Sequence, residues 1–279
     1  MSIKDLTVVI VTFNSEKKIR NCLNSIDKKI KVILVENSNN SEFTKNIEKE
    51  FDNVECILTG ANLGYGKANN IALNKITTKY ALILNPDAQL HSTTIENFIA
   101  TIKIVPEFAI IGPYIQEKKN EKEVPNNNSP IEVNDVKGFA MFLNLSKFKK
   151  VGFFDESFFF YFEEIDLCKR LINDGQKIYL VPNIKINHDG AQSHDESINE
   201  VMEMSRNWHW MWSTFMYHKK YKGFIISLLI IFPKLISAIV KISLYTLLVN
   251  RKKKDIYYQR LSGLINAIIG KSSWYRPKL

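Results

Sequence analysis

Cysteine is scarce: Cys22, Cys56 and Cys168 are the only three in 279 residues. The number is odd and no pair stands at metal-ligand spacing, which excludes a disulfide framework and a structural zinc site and leaves small core residues in a reducing compartment. Acidic residues are missing from one end. From Met211 onward thirteen Lys and Arg face one carboxylate, Asp255, a net of +12; the remaining 25 basic and 28 acidic residues give the preceding body −3, within a formal total of +9. Such asymmetry argues against a nucleic-acid-binding surface and for a body with an appended basic element. No signal peptide or transit segment precedes the first strand-like run, so the body is expected in the cytoplasm. Two nucleotide signatures are also absent. The glycines of 60–66 have the wrong spacing for a dinucleotide fingerprint, and residues 11–19 lack the basic, glycine-rich signature of a nucleotidyl transferase.

What is present is a chain that is 45% hydrophobic, ample for a core. Residues 6–12 form a continuous β-branched run of the kind buried on both faces of a sheet. Ser15 is placed to cap a helix over 16–25. A second strand over 31–36 ends in the polar loop 36–40, followed by a helix over 41–50 and a strand over 54–58. Further strands are read at 80–84, 109–112, 137–143 and 177–181, with a helix opened by 60–70 and running to about Lys75, one over about 93–105 and one from near Glu163 to before Gly175. This alternation predicts an α/β fold of right-handed βαβ units with a mostly parallel sheet. Residues 116–133, charged, Asn-rich and broken by Pro125 and Pro130, read as a lid or an ill-ordered excursion.

Three stretches carry chemistry. The apolar run from Tyr80 stops at Asn85-Pro86 and presents Asp87 just beyond a strand's carboxyl end, where open α/β sheets bind ligands; Pro-Asp is also ordinary turn chemistry. Gly60 to Asn70 opens a helix whose N-terminus favours a diphosphate, or is a loop that merely turns. Glu163, Glu164 and Asp166 begin a helix directly after the aromatic run 158–162. Carboxylates beside that much apolar surface are candidates for a raised pKa and a general-base role, and the alternative is that they complement the helix dipole. His188 follows a strand in a Gly/Ser loop, as metal ligands and phosphate contacts do, although a lone His is more often neither.

Taken in order, the stretches resemble the family 2 glycosyltransferases of GT-A fold, and more narrowly their rhamnosyltransferase-like branch. The matching segments are Val9-Ile-Val-Thr-Phe-Asn14, Val35-Glu-Asn-Ser38, Asn62-Leu-Gly-Tyr-Gly66 with Asn69-Asn70, and Leu84-Asn-Pro-Asp87. Gly152-Phe-Phe-Asp-Glu156, Phe160-Tyr-Phe-Glu-Glu-Ile-Asp166 and His188 with Gly190 and Ser193 complete the set. The resemblance implies a GT-A nucleotide-diphospho-sugar transferase domain over 1–210. It also implies a nucleotide-sugar donor, a divalent cation (Mg2+ or Mn2+), a glycan or lipid-linked glycan acceptor and inversion at the anomeric carbon. Carried over by position, Thr12, Asn14 and Glu36 border the base and ribose, and Asn62, Gly64, Tyr65, Gly66 and Asn69 border the nucleotide. Asp87 holds the metal, His188 assists at the metal or diphosphate, and Glu164 is the general base with Glu163 and Asp166 beside it. Two departures stand out. The first aspartate of the family's metal motif is Asn85 here, and the base position reads Glu-Glu rather than Glu-Asp. A catalytically silent glycan-binding or membrane-scaffold protein is the rival reading.

The tail, 211–279, is expected to be a basic helical extension. Residues 224–249 are apolar for about the length of a membrane span, but Pro233 and Lys234 interrupt the middle and both flanks are basic. An interfacial or re-entrant helix on the anionic inner face of the membrane is expected, with packing on the body or on a second subunit of a homo-oligomer as the alternative.

Overall fold

A computed structural model of the protein describes residues 2–113, 129–188 and 194–276. Most of the 116–133 stretch, together with Gly190 and Ser193, lies outside the described residues. The chain divides into two compact units, Met1–Phe154 with Glu164–Asp195, and Asp155–Glu163 with Glu196–Leu279.

The first unit is a layered α/β structure. Its elements are β1 (Leu6–Thr12), α1 (Glu16–Asn24), β2 (Lys31–Glu36), α2 (Ser41–Glu50), β3 (Val54–Leu58), α3 (Tyr65–Leu73), β4 (Tyr80–Leu84) and β5 (Ala88–Leu90). There follow α4 (Thr94–Ile104), β6 (Phe108–Pro113), β7 (Ile131–Glu132), β8 (Ala140–Asn144), α5 (Glu163–Asn173), β9 (Lys177–Val181) and β10 (Ile186–His188). The principal sheet runs β3-β2-β1-β4-β8-β6-β9-β7, and β5 with β10 forms a separate ribbon. Strands β3, β2, β1 and β4 are parallel, as the strand and helix alternation predicts. β8 enters antiparallel to both β4 and β6, a reversal the pattern does not signal because a buried strand reads alike in either direction.

The β-branched run of β1 is buried on both sides because the pleat sends alternate residues to opposite faces. Leu6, Val8 and Ile10 pack with Ile19, Cys22, Ile47 and Phe98 from α1, α2 and α4. Val9 packs on the other face with Ala68, Ala72, Leu167 and Leu171 from α3 and α5. All three cysteines are free, and Cys22 and Cys168 are core residues. The strand expected over 137–143 begins at Ala140; just before it, the Phe139 carbonyl accepts the Asn85 N–H at 2.8 Å, which carries this segment alongside the end of β4.

The second unit is helical: α6 (Asn199–Lys222), α7 (Phe224–Leu247) and α8 (Arg251–Ile268). The compositional step at 210/211 falls inside α6, because charge changes along the sequence while a helix ends where its backbone bonding ends. Trp208, Trp212, Phe215, Ile231, Leu264 and Ala267 form its core together with Phe158. Helix α8 approaches α6 closely at Gly263, where an added Cβ would sit 2.3 Å from the Trp208 carbonyl oxygen. Since backbone cannot give way as a side chain does, Gly263→Ala is expected to lower stability by about 1–3 kcal/mol. Urea unfolding followed by tryptophan fluorescence checks this; an unchanged midpoint would contradict so close an approach.

Upstream of α5, Tyr161 (φ 67°) and Phe162 (φ 70°) both adopt left-handed backbone, which aromatic residues rarely do. Their segment is held by a bond from Ser213 Oγ to the Phe160 carbonyl (2.9 Å) and by the Trp210 ring, which packs on both aromatics. Helix α7 continues through Pro233 rather than stopping there, although proline has no N–H for the preceding turn. It is the one helix among the described residues long and apolar enough to cross a membrane, and much of its apolar surface is exposed, including Ile225, Leu229 and Leu247.

Candidate active site

The expected site residues of the first unit collect at the carboxyl ends of β1, β2 and β4. Thr12 and Glu36 close two parallel strands in register. Both are buried, and the Thr12 hydroxyl donates to Glu36 Oε2 at 2.7 Å while the Ser38 hydroxyl donates to Oε1. Burial raises the Glu36 pKa and these hydroxyl bonds oppose the rise. Thr12 and Glu36 therefore direct their polar atoms into a bonded pair. Asn14 adopts positive φ (49°), which asparagine tolerates, and its carbonyl accepts the Asp195 N–H at 2.7 Å.

The glycine-containing loop is stapled to β2 by an amide pair. Asn37 Nδ2 donates to Asn62 Oδ1 (3.1 Å) and to the Gly64 carbonyl (3.3 Å), while Asn37 Oδ1 accepts the Leu63 N–H (2.9 Å). Asn62 Oδ1 also accepts the Gly64 N–H at 3.1 Å. Gly64 takes φ 86° at the start of α3, a conformation that favours glycine. Gly66 and Asn69 are buried in α3; Asn69 Nδ2 bonds the Tyr65 carbonyl at 2.9 Å, and Asn69 Oδ1 has no hydrogen-bond partner among the described residues. As in any helix, the first amides of α3 lack intrahelical acceptors, so this end offers donors to an anion.

Asp87 and His188, 101 positions apart in sequence, are brought together by the ribbon of β5 and β10, in which His188 pairs with Ala88. The His188 Nε2 lies 3.4 Å from Asp87 Oδ1, and the Asp87 side chain is fully buried. The imidazole stacks on the Phe139 ring with centroids 4.4 Å apart. Behind Asp87, the Cys22 thiol contacts the Asn85 carbonyl at 3.6 Å; burial first, and the Asp87 charge second, raise its pKa and keep it protonated.

Glu164 meets the same segment one residue earlier. A Cβ built on Gly138 would lie 3.7 Å from Glu164 Cβ and 3.8 Å from Tyr65 Cε1, and the Tyr65 hydroxyl donates to the Gly138 carbonyl. Adjacent residues Gly138 and Phe139 thus connect Tyr65 and Glu164 with the Asp87–His188 pair. Glu164 is half-buried, and its Oε2 has no hydrogen-bond partner among the described residues. Desolvation raises its pKa; the helix-terminal amides and Lys137 pull the other way, and Asp135 adds to the rise. Glu163 is buried. Asp166, expected beside them, is committed elsewhere: it accepts Arg170 Nε at 2.7 Å with its side chain fully buried.

Residues 7–168 match glycosyl transferase family 2, more than half of the chain. The chain belongs to this family. Among its relatives, a low-salt glycan biosynthesis hexosyltransferase of Haloferax volcanii is 30% identical over 203 residues, 62% of this chain and 64% of that protein. The chain thus spans just under two thirds of that relative's length. An N-acetylglucosaminyl-diphospho-decaprenol L-rhamnosyltransferase of Mycobacterium tuberculosis is 23% identical over 236 residues, 67% of this chain and 77% of that one. A mannosyltransferase from Pyrobaculum calidifontis, solved with GDP-Man and Mn2+, superposes with TM-score 0.58 at 11% identity, covering 95% of this chain and 87% of that one. At that identity the likeness establishes the GT-A fold.

Several residues that shape this candidate site carry no distinct signal in the sequence. Asn37 staples the glycine-containing loop, and Asn70 clamps Phe154, donating to its carbonyl (2.9 Å) and accepting its N–H (3.0 Å). Arg170 holds the neighbouring backbone, bonding the Val151 carbonyl at 2.8 Å and the Phe153 carbonyl while paired with Asp166. Gly138 and Phe139 looked like the start of a strand. The available signal was the glycine immediately ahead of that apolar run.

Proposed function

We propose that the protein transfers a sugar, with rhamnose the favoured one, from a nucleotide-diphosphate donor to a glycan or lipid-linked glycan acceptor in cell-surface polysaccharide assembly, inverting the anomeric carbon. The observation that carries this is the convergence of Asp87, His188, Tyr65 and Glu164 on Gly138 and Phe139, beside the bonded ends of β1 and β2. The named activity of the mycobacterial relative supports both the rhamnose and the lipid-linked acceptor.

In this mechanism the loop 60–70 and the first turn of α3 receive the diphosphate. Glu164, whose raised pKa suits a base working near neutral pH, takes the proton from the acceptor hydroxyl. That oxygen bonds the anomeric carbon as the bond to the nucleoside diphosphate breaks on the opposite side. Arg170 and Asn70 hold the preceding chain, and Asp166 acts through Arg170 as a positioning residue.

A divalent cation fits the residues present. Among the described residues no three His, Cys, Asp or Glu side chains cluster, but Asp87 and His188 stand together and would hold Mg2+ or Mn2+, whose remaining ligands would be water and phosphate oxygens. When bound, the ion would neutralise charge on the departing diphosphate.

The helical unit is proposed to attach peripherally to the inner face of the cytoplasmic membrane. If α7 crossed the bilayer, Lys234 would lie near its centre, at a cost of about 2.5–3.5 kcal/mol. Both flanks of α7 are basic, which suits an anionic surface. A thermal-shift screen of nucleoside diphosphates and nucleotide sugars, with and without Mn2+, tests the donor assignment. Stabilisation that requires both nucleotide and ion is expected, and the absence of stabilisation by any diphosphate would overturn it.

A further inference from the structure

Within the helical unit, α6, α7 and α8 enclose a cleft of about 290 Å³ whose lining includes Trp210, Pro233, Lys234, Ser237, Tyr257 and Arg260. Two cations line it and no carboxylate does. Lys234 forms no ion pair among the described residues, despite lying in an otherwise apolar stretch of α7. Arg260 is oriented: its Nε donates to Asn207 Oδ1 at 2.7 Å and its guanidinium lies 5.0 Å from the centre of the Tyr257 ring. That leaves its terminal N–H fork without a hydrogen-bond partner among the described residues, and this fork geometry matches phosphate oxygens. On α7, Phe232 and Ile236 flank the Pro233–Lys234 step and are exposed, as are Leu229 and Ile239 one turn further out on either side. Trp210, 42% exposed, stands at the cleft with the amphipathic ring typical of a membrane interface.

We infer that this cleft binds the anionic phosphate of a membrane lipid, with the lipid chain lying along the exposed apolar face of α7. Charge complementarity selects the head, and the continuity of cationic cleft and apolar helix face selects an amphiphile over a soluble anion or an acidic peptide. The inference rests on the membrane-attached reading of the helical unit and adds a specific headgroup site to it. Lipid-linked acceptors and bulk anionic phospholipids share this phosphate chemistry.

Binding of the full-length chain to vesicles tests it, using phosphatidylcholine alone, phosphatidylcholine with phosphatidylglycerol, and phosphatidylcholine with a long-chain prenyl phosphate. Removing one diffuse surface charge lowers vesicle affinity by about fivefold, the loss expected for the flank variant Lys253→Gln. Removing a charge-assisted bond to phosphate costs more, so Lys234→Gln and Arg260→Gln are each expected to lose about twentyfold or more. Lys234 is exposed and forms no ion pair among the described residues, so its substitution leaves the fold intact even if Arg260→Gln does not. A loss concentrated on prenyl phosphate identifies the lipid-linked acceptor as the occupant, and an equal loss on phosphatidylglycerol identifies bulk phospholipid. If Lys234→Gln loses no more than Lys253→Gln while the wild type binds anionic vesicles, the cleft assignment is overturned and membrane attachment stands. Wild-type protein that binds none of the vesicles overturns both.

Discussion

Glu164→Gln is expected to lower kcat by about 10²–10⁴ while leaving donor KM nearly unchanged, the loss that follows removal of a positioned base. Successive helical residues point about 100° apart, so Glu163 and Glu164 cannot both meet one acceptor hydroxyl. Glu164 is the half-buried one, set against Gly138 and Tyr65, whereas Glu163 is buried. Glu163→Gln should therefore cost clearly less. The pH dependence carries a sign. A base acts only when ionised, and burial raises the Glu164 pKa. Activity should thus rise with pH along a limb lying above the ordinary carboxylate range, and that limb should vanish in Glu164→Gln. Retained turnover in Glu164→Gln with loss in Glu163→Gln would move the base by one residue, and retained turnover in both would remove it from this helix.

Asp87→Asn is expected to abolish the ion-dependent part of nucleoside diphosphate binding. The substitution keeps the shape of the side chain and removes the charge beside His188. Because the new amide presents an N–H₂ donor where an anionic oxygen stood, the pair loses its capacity to hold a cation. Isothermal titration with UDP or dTDP, with and without Mn2+, reads this directly. The wild type should bind more tightly with the ion, and the variant should bind equally with and without it. A variant that retains the wild-type dependence on Mn2+ would release Asp87 from the role.

The parts of this fold that sequence made legible are those in which one physical pattern has one outcome. The β-branched run Leu6–Thr12 and the apolar run Tyr80–Leu84 are buried on both faces, and the start of α5 at Glu163 follows from the helical spacing of Ile165, Cys168 and Leu171. The reversal of β8 was not legible, since its residues are equally buried in either direction. Of the candidate site, Asp87 and His188 were read separately, from a strand end and a loop histidine. Their proximity depends on the β5–β10 ribbon, two three-residue strands too short to announce themselves by periodicity. Asp166 shows the opposite case. Expected beside the base to hold the loop or meet the helix terminus, it forms an i,i+4 pair with Arg170, one helical turn on. That spacing was available in the sequence and favours a structural bond. The left-handed backbone at Tyr161 and Phe162 had no sequence signal, because nothing in two consecutive aromatics marks positive φ.

The central claim, sugar transfer with Glu164 as base, is tested most directly by release of nucleoside diphosphate from dTDP-rhamnose and other nucleotide sugars, with and without a prenyl-diphosphate-linked N-acetylglucosamine acceptor. Wild-type protein should release nucleoside diphosphate in proportion to acceptor and form the extended glycolipid, and Glu164→Gln should reduce both by about two orders of magnitude or more. Release that ignores every acceptor offered, or that persists undiminished in Glu164→Gln, would contradict it.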